Sequence, residues 1–354
     1  AHYTTRPVHQ PTIEKHGVID SLGNQWTRPD NFVGNGPFTL EEWKLNQVIK
    51  VKKNPLYWDA DRVKLNEIHF LPIDNVSRED FMFRSGQIHV TSSIPTEKIE
   101  VYKEEYPNNI NISPYYGTYY YRINLNKNPL DNKLIRQALS LSIDREKITE
   151  KVAKGGQIPA FSFTPPDPNG YYPPTRLEFD PQKAKQLLTQ AGYTDENLPT
   201  FELLYNTSEG HQKIAEAMQQ MWKETLGVNI VLTNTDWKVY LSRQNTSDFE
   251  IARAGWIGDY QDPKSFLDMM VTGRGNNLTG WSNDLYDSLL VKASQSYSQD
   301  ERYNYLYEAE KILMDELPII PIYTYTRIYM KHESVKGWNS NLLDSHPYQY
   351  IDIE

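Results

Sequence analysis

Two short stretches carry the side chains best suited to holding a charged ligand. The first, Phe201-Glu-Leu-Leu-Tyr-Asn-Thr-Ser-Glu-Gly-His211, reads as an apolar strand, a turn at Asn206-Thr207-Ser208 and the opening turn of a helix. A helix start offers unpaired backbone N–H groups and a partial positive charge, so His211 there can face an anion. A capping turn with a solvent-facing histidine explains the same residues. The second stretch, Ile251-Ala-Arg-Ala-Gly-Trp-Ile-Gly-Asp-Tyr-Gln-Asp-Pro263, is an apolar strand that delivers Arg253, then Gly255, Trp256, Gly258 and Asp259. Its glycines permit close approach of another backbone. Arg253 and Asp259, on opposite sides of the turn, could take the two ends of a zwitterion; the competing explanation is that they pair with each other or with local groups.

Other chemistry finds little support. Gly34-Asn35-Gly36 lacks the Lys-Ser/Thr of a phosphate loop, and no G-x-S-x-G elbow is present. The histidines are scattered without an HExxH pair, which argues against a transition-metal site. Adjacent carboxylates such as Glu41-Glu42 do not face each other. The chain has no cysteine, so disulfides, thiol catalysis and thiolate metal sites are excluded. A net charge of -9 argues against nucleic acid, which needs clustered Lys and Arg. The longest apolar runs, such as that around Leu317 to Tyr323, are strand-sized and contain proline. Ala1 does not open a signal peptide. No enzyme, metal or cofactor is therefore expected. The 25 tyrosines suit a cavity for amphipathic ligands, although tyrosines half-buried in sheets account for most of such a number.

The elements that must position these residues alternate between strand and helix, the pattern of an α/β chain. The first thirty-odd residues are broken by Pro7, Pro11, Gly17, Gly23 and Pro29 and read as irregular. Strands are predicted over 47–53, 68–72, 88–91, 115–124, 201–206, 228–232 and 249–253, with two further strands at 319–325 and 327–331. Helices are predicted over 77–85 (opened by Ser77 and Asp80), 96–106, 132–154, 180–188, 208–226, 237–243, 284–293 and 301–315. The proline-rich stretch 159–174 reads as a loop.

An ordered set of motifs then points to a family. Asn35-Gly36-Pro37-Phe38 with Trp43, and Asn54-Pro55-Leu56-Tyr57-Trp58, come first. Ser85-Gly86-Gln87-Ile88-His89-Val90-Thr91 is next, then Arg136-Gln-Ala-Leu139 with Asp144-Arg145, and Ala184-Lys-Gln-Leu-Leu188 with Ala191-Gly192-Tyr193. With the two stretches above, they resemble, in register from about Pro29 to Lys331, the oligopeptide-binding proteins, the family 5 (cluster C) solute-binding proteins of ABC importers. His89 stands where the family usually has an acid. Cysteines that some relatives carry are replaced by Gly117, or a neighbour, and Ile257.

The resemblance implies a two-lobed fold like the type II periplasmic binding proteins, with hinge strands between lobes spanning 1–111 plus 327–354 and 112–326. It implies no catalysis, but reversible capture of short peptides in a cleft between the lobes and delivery to the membrane permease of an ABC importer. Asp259 would receive the peptide α-ammonium, and Arg253 and His211 the carboxylate end. Asn206, Trp237, Gly255 and Trp256 would line the cleft, with Tyr119, Tyr120 and Tyr121 on an adjacent strand and Tyr325 nearby. A monomer is expected in the periplasm or at the outer face of the cell membrane, with a lipid anchor in the precursor a further expectation. The family's first strand and accessory domain would precede Pro29, so the chain reads as shortened at its front. The alternatives are a relative taking an oligosaccharide, metal chelate or signalling peptide, and an interaction fragment without ligand capture.

Overall fold

The computed structural model describes residues 6–18, 24–173, 175, 177–194 and 196–354. It divides into two compact units, Ala1–Ser113 with Ile328–Glu354, and Pro114–Arg327.

The first unit opens with α1 (Gln10–His16), where the sequence suggested irregular chain. Pro11 is tolerated because it falls in the first turn, where no backbone N–H is required. Strands β1 (Phe38–Lys44), β2 (Val48–Lys53) and β3 (Glu67–Phe70) form an antiparallel meander. Lys50 and Lys52 on β2 meet Glu42 and Glu41 across the ladder. Helix α2 (Val76–Arg84) begins earlier than expected, because Asn75 is its cap and accepts from the Arg78 N–H at 2.8 Å. Asp80, expected at the helix start, is instead buried within it and held by Arg84, Lys98 and Tyr102. Helix α3 (Ile99–Glu105) comes after a short 3-10 turn, and Phe83, Ile94, Ile99, Tyr102 and Met330 form the small core.

In the second unit a six-stranded sheet has the order β5-β9-β4-β8-β6-β7. Strand β4 (Ile110–Ile123) begins in the first unit and runs into the second. After α4 (Lys133–Leu141) the helix predicted to continue to 154 breaks. Asp144 caps a new start by accepting from the Lys147 N–H, and α5 (Arg145–Lys147) runs into a π turn that Lys154 closes with φ 58°. The break has a use: buried Arg145 donates to the carbonyls of Ser140, Ile143 and Pro321. Strand β5 (Ile158–Pro159) and α6 (Pro181–Gln190), capped by Asp180, come next.

Strand β6 (Thr200–Asn206) pairs in parallel with both β7 (Asn229–Thr235) and β8 (Ile251–Ile257). Between them lie α7 (Glu209–Leu226), closed by Gly227 at φ 75°, and α8 (Trp237–Asn245). Alternation along β6 separates the two helices. Leu203 and Tyr205 share the main core with Ile214, Met218 and Trp222 of α7, whereas Leu204 packs with Tyr240 of α8. The chain continues through α9 (Lys264–Leu267), α10 (Asp284–Gln295) and α11 (Gln299–Glu316). Strand β9 (Ile319–Met330) is one strand rather than the two expected, since neither glycine nor proline interrupts Tyr325-Thr326-Arg327. It returns the chain to the first unit, where β10 (Val335–Lys336) pairs with β11 (Asp352–Ile353).

The proline-rich loop is tied to α11 by a buried carboxylate. Glu310 accepts from the Thr164 N–H and the Tyr171 hydroxyl, both at 2.7 Å, and burial pushes it up to about 7. Between its unfolded value near 4.5 and 7 the folded chain therefore binds more protons than the unfolded one. The protein should lose about 3 kcal/mol of stability as pH rises through that window. Glu310→Gln should flatten the slope in urea titrations run across it, and an unchanged slope would refute this role for Glu310.

Candidate functional site

The site begins with the pairing of β4 and β8. Tyr119 lies opposite Gly255, Tyr120 opposite Ala254 and Tyr121 opposite Arg253. Strand alternation puts Arg253, Tyr119 and Tyr121 on the α7 side and Tyr120 on the other. Tyr119 and Tyr121 belong to the main core, while Tyr120 packs edge-on against Phe163.

Around Arg253 the structure assembles a charged centre in neutral surroundings. Its guanidinium donates to the Tyr325 hydroxyl at 3.0 Å and to Asn206 Oδ1 at 3.5 Å, and lies 4.9 Å from the centre of the Tyr119 ring. The Nε is sealed from solvent without a hydrogen-bond partner, and no carboxylate among the described residues pairs with the group. Tyr323, which sequence reasoning passed over, stacks on Tyr119 at 4.7 Å. Its spacing of two from Tyr325 on one strand was the available signal. Gly255 is required here, because a Cβ would collide with the Tyr325 hydroxyl.

His211 joins this group from the first turn of α7, with Nδ1 3.4 Å from the Tyr119 hydroxyl. Burial, and then the positive charge of Arg253, push it down to about 2. Burial raises the Tyr119, Tyr323 and Tyr325 hydroxyls, so they too stay neutral. The cluster thus carries one positive charge and, among the described residues, no counter-ion. Such a charge is costly to bury unless an anion joins it.

Asp259 lies beyond the end of β8, exposed, in a turn fixed by a residue the sequence reading did not single out. Its N–H donates to Ser265 Oγ, and the Trp256 indole donates to the Ser265 carbonyl, both at 2.8 Å. The signal was Asp262-Pro263, where Asp262 opens α9 and Pro263 precedes its first turn. Trp237 is not in the Arg253 group: it is exposed at the start of α8, stacked on Tyr240. Tyr120 and Trp256 likewise do not reach it; alternation turns Trp256 to the side opposite Arg253. Of the residues singled out, the structure brings together Arg253, Asn206, His211, Tyr119, Tyr325 and Gly255, with Tyr121 packed behind Tyr119 at 5.9 Å. Among the described residues no three His, Asp or Glu side chains are grouped to hold a metal ion, and no helix is long and apolar enough to cross a membrane.

The second unit thus bears, on a mixed sheet flanked by helices, a polar, positively charged group. Comparison with known proteins carries this further. Residues 2–277 match the middle part of the bacterial extracellular solute-binding proteins, family 5, and the chain belongs to that family. It is 35% identical over 360 residues to the periplasmic oligopeptide-binding protein OppA of Salmonella typhimurium, covering 100% of this chain and 64% of that protein. The murein tripeptide-binding protein MppA of Escherichia coli superposes with TM-score 0.92 at 36% identity, over 98% of this chain and 68% of that one. Haemophilus influenzae OppA in complex with RPPGFSPFR does so with TM-score 0.92 at 32% identity, over 99% and 70%. The chain thus spans under two thirds of the Salmonella protein.

The depressed histidine makes a direct test. With its folded value below the unfolded one, His211 costs the protein stability as pH falls from 6.5 toward 2, because only the unfolded chain takes up the proton. The His211 ring signals in NMR should stay unshifted between about pH 5 and 8, where free imidazole titrates. A normal titration curve would contradict the buried, charge-opposed environment.

Proposed function

We propose that the protein captures short peptides outside the cytoplasm and passes them to the membrane permease of an ABC importer, working as a monomer without catalysis. The observation that carries this reading is Arg253: a guanidinium among neutral tyrosines, asparagine and histidine, with an unpartnered Nε and, among the described residues, no carboxylate partner. A peptide's terminal carboxylate matches it in charge and geometry. Membership of a solute-binding family, and relatives named for oligopeptides and murein tripeptide, support peptides as the ligand class.

In this reading Asp259 takes the α-ammonium. Arg253 and Asp259 are six positions apart. At most about 22 Å of chain then separates their Cα atoms, the span of roughly six extended residues. Ligands anchored at both ends are therefore short. Backbone hydrogen bonds and water-filled side-chain pockets would supply the remaining affinity with little sequence preference. The periplasm or the outer face of the cell membrane is the proposed location.

Native mass spectrometry of the purified chain, followed by gentle denaturation, should release a heterogeneous set of short peptides. In calorimetry, Arg253→Gln should weaken a tripeptide by about 2–5 kcal/mol, the cost of truncating one partner of a buried charge pair. C-terminal amidation should weaken binding to the unsubstituted protein and add nothing on Arg253→Gln. N-acetylation should behave likewise toward Asp259→Asn. Equal binding of free and amidated peptides would overturn the assignment of Arg253, and a chain that stays empty with every peptide would overturn peptide capture.

A further inference from the structure

The sequence contains two Asn-Gly dipeptides, Asn35-Gly36 and Asn169-Gly170, and both asparagines are exposed. Exposure does not distinguish them, but their backbones do. Gly170 sits in a turn at φ 101°, its N–H donating to the Asp167 carbonyl at 2.9 Å, while the Asn169 N–H donates to Asp167 Oδ1 at 2.8 Å. Asp167 is itself buried and bridges to Tyr171, so the turn is pinned on both sides. Asn35 lies in a stretch without regular structure. Neither its side chain nor the Gly36 N–H has a hydrogen-bond partner among the described residues. Around Gly36 there is open space: a Cβ built there meets nothing within 4 Å.

We propose that Asn35 is a site of spontaneous deamidation in the folded protein, and that Asn169 is not. The Gly36 backbone nitrogen gives up its proton to the solvent and attacks Asn35 Cγ. As that N–C bond forms, the bond from Cγ to the amide nitrogen breaks, that nitrogen takes a proton back from solvent and leaves as ammonia, and a cyclic imide remains. Water then opens the ring. Cleavage between the Gly36 nitrogen and Cγ yields aspartate; cleavage between that nitrogen and the Asn35 backbone carbonyl carbon yields isoaspartate, whose main chain runs through the former side chain. No oxidant or cofactor enters, and water is the only co-reactant. The amide of Gly170 cannot attack until its bond to Asp167 opens.

The product matters because the chain is clamped immediately after the reacting dipeptide. The Asn54 side-chain amide donates to the Gly36 carbonyl and the Asn54 N–H to the Pro37 carbonyl, both at 2.9 Å, just before β1 begins. Isoaspartate lengthens the backbone on the near side of this clamp. Either product also adds a negative charge to the rim of a cavity of about 670 Å³ lined by Asn35, Phe38, Tyr57, Trp58 and Arg6.

The test is incubation of the intact folded chain in mildly alkaline buffer, with peptide mapping by mass spectrometry and enzymatic methylation of isoaspartate. Asn35 should convert about five- to tenfold faster than Asn169, the protection that one ordinary hydrogen bond provides. In urea the two should convert at similar rates. Gly36→Ala, which the open space around Gly36 accommodates, should slow conversion at Asn35 by about tenfold or more, since a Cβ hinders attack by its own nitrogen, and leave the melting temperature unchanged. Conversion at Asn169 as fast as at Asn35 in the folded chain, or an unaltered rate in Gly36→Ala, would overturn the proposal.

Discussion

The register of β8 against β4 is the constraint on which the candidate site depends. Because side chains alternate, placing Tyr121 opposite Arg253 turns the guanidinium toward α7 and His211. A slip of one residue would turn it toward α8 and send Ala252 and Ala254 into the tyrosine group instead. The main core guards against this, since Ile123, Leu203 and Ile251 must also stay on the α7 side. Hydrophobic burial thus sets the geometry of a polar site. Gly117 and Ile257 are direct partners in the same ladder.

Holding a guanidinium with neutral acceptors is a choice with an energetic cost. A carboxylate at Asn206 would satisfy Arg253 and stabilise the empty protein, but it would also compete with any anionic ligand. Tyr325, Asn206 and the face of Tyr119 solvate the charge without neutralising it. The unpartnered Nε and the uncharged His211 mark the same compromise, in which stability is given up at the Arg253 group.

Much of this was legible in the residues, and the exceptions have physical reasons. Asp180 and Gly227 marked helix ends because capping is local chemistry. Arg253 was recognisable as a residue delivered by an apolar strand. Its surroundings were not, because Tyr119, His211, Asn206 and Tyr325 come from four elements, and only tertiary pairing unites them. Tyr119, Tyr120 and Tyr121 looked alike in sequence, yet alternation sends the middle one to the opposite face. The long helix expected over 132–154 failed because its periodicity could not reveal that Arg145 needs the carbonyls of Ser140 and Ile143. The extended reading of β9 was missed for the opposite reason: a polar Thr326-Arg327 step looked like a boundary but only changes the surroundings of an unbroken strand.

The way the chain threads its two units bears on how it is made. Residues 114–327 are continuous, whereas the other unit is assembled from 1–113 and 328–354. A free loop of that length would be entropically costly to close. Once β4 and β9 are neighbours in a finished sheet, however, the two segments emerge from it tethered near each other. During synthesis the first unit must wait for the last segment to be translated, its small core lacking Met330 until then. The inserted unit can meanwhile complete its sheet.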